Sequence, residues 1–116
     1  MYILVQKIVL LYSKGNLLDL SVRNLISSDQ DLRLTVLNSV GFEELIETSS
    51  RLRPDVIVLP QGALAENSGL LNRLLKSSPQ NSQIITLDDE QNIFHVYSRH
   101  EVTIQQSSDL MQVIRS

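Results

Sequence analysis

The residues of this chain that could do chemistry are few and far apart. Asp88-Asp89-Glu90 follows an apolar run and gathers three carboxylates, the oxygen donors a hard divalent cation or a phosphate relay would need. Nothing else nearby would complete such a site, so the plainer reading is a solvated turn. His95 and His100 are too few and too isolated to make a metal site, and His95 reads as a strand-face residue. Asp55 stands at the start of an apolar run, the wrong end of a strand for catalysis, and reads as a helix-to-strand turn residue. Asn67-Ser68-Gly69 precedes a leucine-rich segment. A serine there is ordinarily a helix cap, although helix N-termini also favour phosphate. With no cysteine, the chain has neither a thiol nucleophile nor a thiolate ligand. No nucleophile, base and metal set can be assembled, so the expectation is a non-enzyme without metal or cofactor.

The elements that must position these residues follow from the apolar pattern. Lys7 to Leu11 is a continuous apolar run and reads as a central first strand. Asn16 can cap a helix whose stripe is Leu18, Val22, Leu25 and Ile26. Leu32, Leu34 and Val36 alternate with Arg33 and Thr35, the pattern of a strand with one wet face, at an edge. After the loop Asn38 to Gly41, a second helix turns Phe42, Leu45, Ile46 and Leu52 inward, with Glu43 and Glu44 in its first turn. Pro54 stops it, and Val56 to Leu59 is a buried strand that ends in Pro60. Gln61 to Ser68 reads as a loop, Gly69 to Lys76 as a third helix, and Ile84 to Leu87 as a fourth strand. Alternation of strand and helix predicts a parallel sheet with helices on both faces. Beyond Leu87 the rhythm changes. Asp88 to Asn92 reads as a polar turn, and Ile93 to Tyr97 with Val102 to Ile104 as a short antiparallel hairpin around Ser98-Arg99-His100. Ser107 or Ser108 then caps a last helix with Asp109 in its first turn, carrying Leu110, Met111 and Ile114.

Composition narrows the class. The chain has 116 residues, 42% hydrophobic and 20% charged, which predicts one globular domain over residues 1–116. The net charge is −3 and the basic residues are scattered, so nucleic-acid binding has no support. No apolar run approaches the ~20 residues of a membrane span, and the start lacks the marks of a signal peptide. A cytoplasmic protein is expected.

In this order the pieces resemble the receiver domain of bacterial response regulators, the CheY-like domain of two-component signal transduction. Lys7-Ile-Val-Leu-Leu is similar to its first strand, and Asp31-Leu-Arg-Leu-Thr-Val through Gly41-Phe-Glu-Glu-Leu45 to its second strand and helix. Arg53-Pro-Asp-Val-Ile-Val-Leu59 resembles the phosphoacceptor strand, Gly69-Leu70 with Leu74 the third helix, and Pro79 to Leu87 the approach to the fourth strand. The resemblance implies a flavodoxin-like three-layer α/β/α sandwich with a mainly parallel five-stranded sheet in the order 2-1-3-4-5. Only about fifteen residues separate the fourth strand from the presumed fifth, too few for two loops and a helix, so the hairpin would replace the family's fourth helix. The resemblance also implies a lost site. The metal-binding acids align with Tyr12 and Ser13, the phosphoacceptor with Pro60, the Thr or Ser after the fourth strand with Leu87 or Asp88, and the late lysine with Thr103. Asn67-Ser68-Gly69 is separately similar to the phosphorylated loop of STAS domains, which would make Ser68 a phospho-switch, although the first half of the chain does not follow that pattern.

Three functions remain open. The first is a stand-alone pseudo-receiver that acts by protein–protein contact, as an adaptor or scaffold and in one form a homodimer. Its contact surfaces would be Tyr2, Ile3 and Leu4 at the start and Phe94, Val96, Tyr97, Arg99, His100 and Val102 in the altered segment. The second is a ligand sensor, with a small molecule at the strand ends near Tyr12, Pro60 and Leu87. The third is the STAS-like switch at Ser68.

Overall fold

The computed structural model describes residues 6–13, 17–38, 41–88, 93–99, 102–106 and 109–115. In chain order the elements are β1 (Lys7–Ser13), α1 (Leu17–Ser27), β2 (Leu32–Asn38), α2 (Phe42–Leu52) and β3 (Val56–Pro60). They continue as α3 (Gln61–Glu66), α4 (Leu70–Ser77), β4 (Gln83–Asp88), β5 (Ile93–Tyr97), β6 (Val102–Gln106) and α5 (Leu110–Arg115). The segment expected as a loop after Pro60 therefore holds a short helix, α3. The expected caps Asn16, Ser107 and Ser108, and the side chain of Leu18, lie outside the described residues.

One sheet joins all six strands in the order β2-β1-β3-β4-β5-β6. β1 pairs in parallel with β2 and β3, and β3 in parallel with β4. β5 then runs antiparallel to β4, and β6 antiparallel to β5. The α/β plan is as expected as far as β4. The five-stranded order 2-1-3-4-5 is corrected to six strands with an antiparallel flank. The reason lies in chain length: only residues 89–92 separate β4 from β5, whereas a parallel crossover takes a dozen or more. The hairpin is present, but as two strands of the sheet.

Strand alternation sends side chains to two cores. Val9 and Leu11 of β1, Val56 and Val58 of β3, Ile85 and Leu87 of β4, and Phe94 and Val96 of β5 meet Val22 and Ile26 of α1 and Leu110 and Ile114 of α5. The opposite positions Leu10, Tyr12, Ile57, Leu59 and Ile84 meet Leu45 of α2, Ala63 of α3, and Leu70 and Leu74 of α4. Central strands covered on both faces favour apolar residues at successive positions, which explains the runs Ile8 to Leu11 and Val56 to Leu59. On α1 the expected stripe is narrower, because Leu25 is half exposed.

Polar groups fix the entry to the sheet. Asp55 accepts from the Ile8 N–H through Oδ2 at 2.8 Å, donates its own N–H to the Ile8 carbonyl at 2.9 Å, and accepts from the Gln83 N–H at 3.0 Å. It is a turn residue, as expected, and also ties β1, β3 and β4 together. Arg53 ends α2 in the left-handed region at φ 50°, with its N–H bonded to the Ser49 carbonyl. Under α2 and α4, the Ser49 and Ser78 hydroxyls lie 3.0 Å apart in a buried contact.

On the surface, Arg73 of α4 makes a bidentate pair with Glu43 of α2, at 2.6 and 2.8 Å. The hydrogen bonds and the charge of Arg73 hold the Glu43 carboxyl below the ordinary carboxylate range. A depressed folded pKa contributes stability above the unfolded value and loses it as pH falls through the folded one. Arg73→Ala should therefore raise the Glu43 pKa toward its ordinary value in an NMR titration, with little effect on stability because both side chains are exposed. In the core, Phe94→Ala should cost about 3–5 kcal/mol in urea unfolding.

Candidate functional site

In open α/β sheets the ligand crevice lies beyond the C-terminal strand ends, where strand order reverses. Here that point falls between β1 and β3, since the chain leaves β1 for β2 on one side and returns to β3 on the other. Tyr12, Ser13, Pro60, Leu87 and Asp88 do gather at this end, at the last positions of β1, β3 and β4. Pro60 and Leu87 are direct register partners. The segments that follow β1, β2 and β4 (14–16, 39–40 and 89–92, with Asp89 and Glu90) lie outside the described residues.

Three of the side chains at this end, Tyr12, Pro60 and Leu87, have structural roles. Tyr12 and Ser13 are buried, and the Tyr12 ring packs on Phe42 of α2 with centroids 5.9 Å apart and planes tilted by 36°. Pro60, at φ −65° and ψ 144°, is the residue from which α3 springs. Its ring fixes that φ and no N–H is needed there. Leu87 is part of the core toward α5. Asp88 is half-buried at the end of β4, opposite Ile93.

One polar pair here was not foreseen. Thr86 is fully buried on the face toward α3, and its hydroxyl donates to the side-chain carbonyl of Gln61, the first residue of α3. The signal available was Thr86 itself, a single hydroxyl within Ile84-Ile85-Thr86-Leu87. His95 sits opposite Thr86 in β5, a strand-face residue as expected, with its ring stacked on Tyr97 at 6.1 Å. Its Nδ1 is buried and has no hydrogen-bond partner.

Several expected positions move. Thr103 lies on β6, separated from β4 by β5, so it does not take the place beside β4 that the late lysine would occupy. Phe94 and Val96 are not surface residues, because alternation along β5 turns both into the core. Tyr97 is half-buried against the other core. Arg99 is exposed, but its guanidinium donates to the Leu75 and Ser78 carbonyls at 2.9 and 3.2 Å, closing the C-terminal end of α4. Ser68 is exposed between α3 and α4, where the neighbouring Asn67 makes the turn by accepting the Gly69 N–H at 3.2 Å. Tyr2, Ile3, Leu4 and His100 lie outside the described residues.

Among the described residues the large apolar side chains most open to contact are on β6, ahead of Leu20 and Leu25 of α1. Val102 is 57% exposed and Ile104 64%. They pair with Tyr97 and His95 of β5, so all four share one face. At the other end of the sheet, Lys7, Asp55, Asn81 and Gln83 line a cleft of about 230 Å³. Two of its groups have structural roles: Lys7 Nζ donates to the Ile114 carbonyl at 3.1 Å, and Asp55 holds Ile8. Among the described residues, no cluster of three or more acids or histidines could hold a metal ion, and no helix is long and apolar enough to cross a membrane. Comparison of the chain with family models, curated proteins and solved structures finds no match.

The Thr86–Gln61 pair is testable by a double-mutant cycle. Gln61→Ala leaves a buried hydroxyl without its acceptor and should cost about 1–3 kcal/mol. In the Thr86→Val background the same change should cost clearly less, as read by urea unfolding.

Proposed function

We propose that this chain is a receiver-like module that works without phosphorylation, by protein–protein contact through its β5–β6 flank, as an adaptor or scaffold in bacterial signalling. The observation that carries the reading is the outer strand β6, apolar on one face and ending the sheet with Val102 and Ile104 exposed. Large apolar side chains side by side on an unblunted strand edge are a feature of contact surfaces. The strand ends support the same reading from the other direction. Tyr12 under Phe42, Pro60 at the root of α3 and Leu87 in the core offer no carboxylate to seat a cation or accept a phosphoryl group. The Tyr12 ring is buried against Phe42 and so is not open to a small ligand, which favours contact over ligand sensing.

Incubation of the full chain with acetyl phosphate and Mg²⁺ tests this directly. Intact mass should be unchanged. A base-labile phosphoryl adduct on an aspartate would overturn the reading.

A further inference from the structure

We infer that the occupant of the β6 edge is a second copy of this chain, paired β6 to β6 in antiparallel fashion about a two-fold axis normal to the sheet. The inference rests on the protein-contact reading above and names its partner. Among the described residues β6 has one strand neighbour, β5, so alternate residues turn their N–H and C=O groups outward along its free edge.

Charge decides which partner suits that edge. When a strand pairs with its own copy, residue i meets residue j and j meets i, so a charged residue lies close to its own duplicate only near the axis. β6 reads Val102-Thr103-Ile104-Gln105-Gln106 and carries no charge, so self-pairing meets no like-charge repulsion. A partner selected by opposite charge would find nothing on the strand to complement. β2, the opposite edge, carries exposed Arg33 as its second residue, a charge that discourages strand addition there. Faces decide the geometry. A two-fold axis normal to the sheet keeps each face on its own side, so Val102 and Ile104 of one copy continue into those of the other. The exposed apolar strip of each copy then becomes a single strip flanked by both pairs of Tyr97 and His95. A five-residue strand spans only about 17 Å. The contact falls below the ~1,200 Å² of a standard interface, so the dimer should be weak and dependent on concentration.

Because the chain has no cysteine, single cysteines report the contact cleanly. The test introduces cysteine singly at each position from Val102 to Gln106 of the full chain, with Arg33→Cys as control, followed by mild oxidation and a non-reducing gel. Cross-strand neighbours have Cβ atoms about 4.5–5.5 Å apart. Disulfide dimers should therefore form at one or two positions close to the axis, at least about tenfold faster than at Arg33→Cys. Sedimentation velocity of the unmodified chain should show a dimer fraction that rises with concentration, and Ile104→Lys should weaken it at least about tenfold. Circular dichroism checks that Ile104→Lys is folded, and Val102→Lys replaces it if it is not. Equal cross-linking at the Arg33→Cys control, a dimer indifferent to both lysine variants, or a monomer at every concentration without β6 cross-links would overturn the inference. None of those results alters the acetyl-phosphate outcome, so the second copy can fail as occupant while the protein-contact reading stands.

Discussion

The chain between Asp88 and Ile93 is the constraint on which the second half of the structure depends. A parallel return to the sheet would need a crossover of a dozen or more residues, and only residues 89–92 are there. β5 must therefore run back beside β4, and the equally short stretch 98–101 makes β6 run back beside β5. A helix that would have covered the flank on one face has no chain to form from. Phe94 and Val96 still find a core, because α5 closes that side. The opposite face of β6 is left with Val102 and Ile104 in the open.

The strand ends are governed by a different demand, that of filling a core. Tyr12 is buried, with its ring packed on Phe42 of α2. Pro60 cannot act as an acid or a ligand, but its fixed φ lets β3 pass directly into α3. α3 in turn supplies Gln61, the acceptor that makes it tolerable to bury Thr86. An unpaired hydroxyl there would cost about 1–3 kcal/mol. Of the positions that would hold chemistry in a receiver, Tyr12 packs on α2, Pro60 starts α3 and Leu87 fills the core toward α5.

Much of the α/β frame was legible because central strands covered on both faces are apolar at nearly every position. Lys7 to Leu11, Val56 to Leu59 and Ile84 to Leu87 could hardly be anything else. The amphipathic stripe of α2 was equally clear, with Leu45 fully buried. What escaped the sequence were facts of neighbourhood. The roughly fifteen residues between the fourth strand and the presumed fifth exclude a helix, but they hold a further strand, β5, which takes the place next to β4. Thr103 was misplaced for that reason. Phe94 and Val96 are expected on a surface but lie in the core, because alternation gives the two faces of a strand without saying which of them a helix covers. Asp55 and Arg99 show the same limit from the polar side. Their partners, Ile8 and the carbonyls of Leu75 and Ser78, are distant in sequence and meet them only through the fold.

The two edges of the sheet show how a single charge alters what a strand can do. β2 and β6 are both outermost, and among the described residues each has a strand neighbour on one side alone. β2 is additionally protected, because Arg33 projects exposed from it and the side chains of Leu34 and Val36 are packed against the core toward α1 and α5. Charged residues on an edge strand are a known means of discouraging sheet-to-sheet addition. β6 has neither protection: no charged residue lies on it, and the two largest apolar side chains it carries are turned to solvent. Leaving such a strand bare invites indiscriminate pairing, so an edge of this kind is best tolerated when something regularly covers it. The same short connection that excludes a covering helix therefore also creates the demand for a partner, and the proposed contact function follows from chain length as much as from side-chain chemistry.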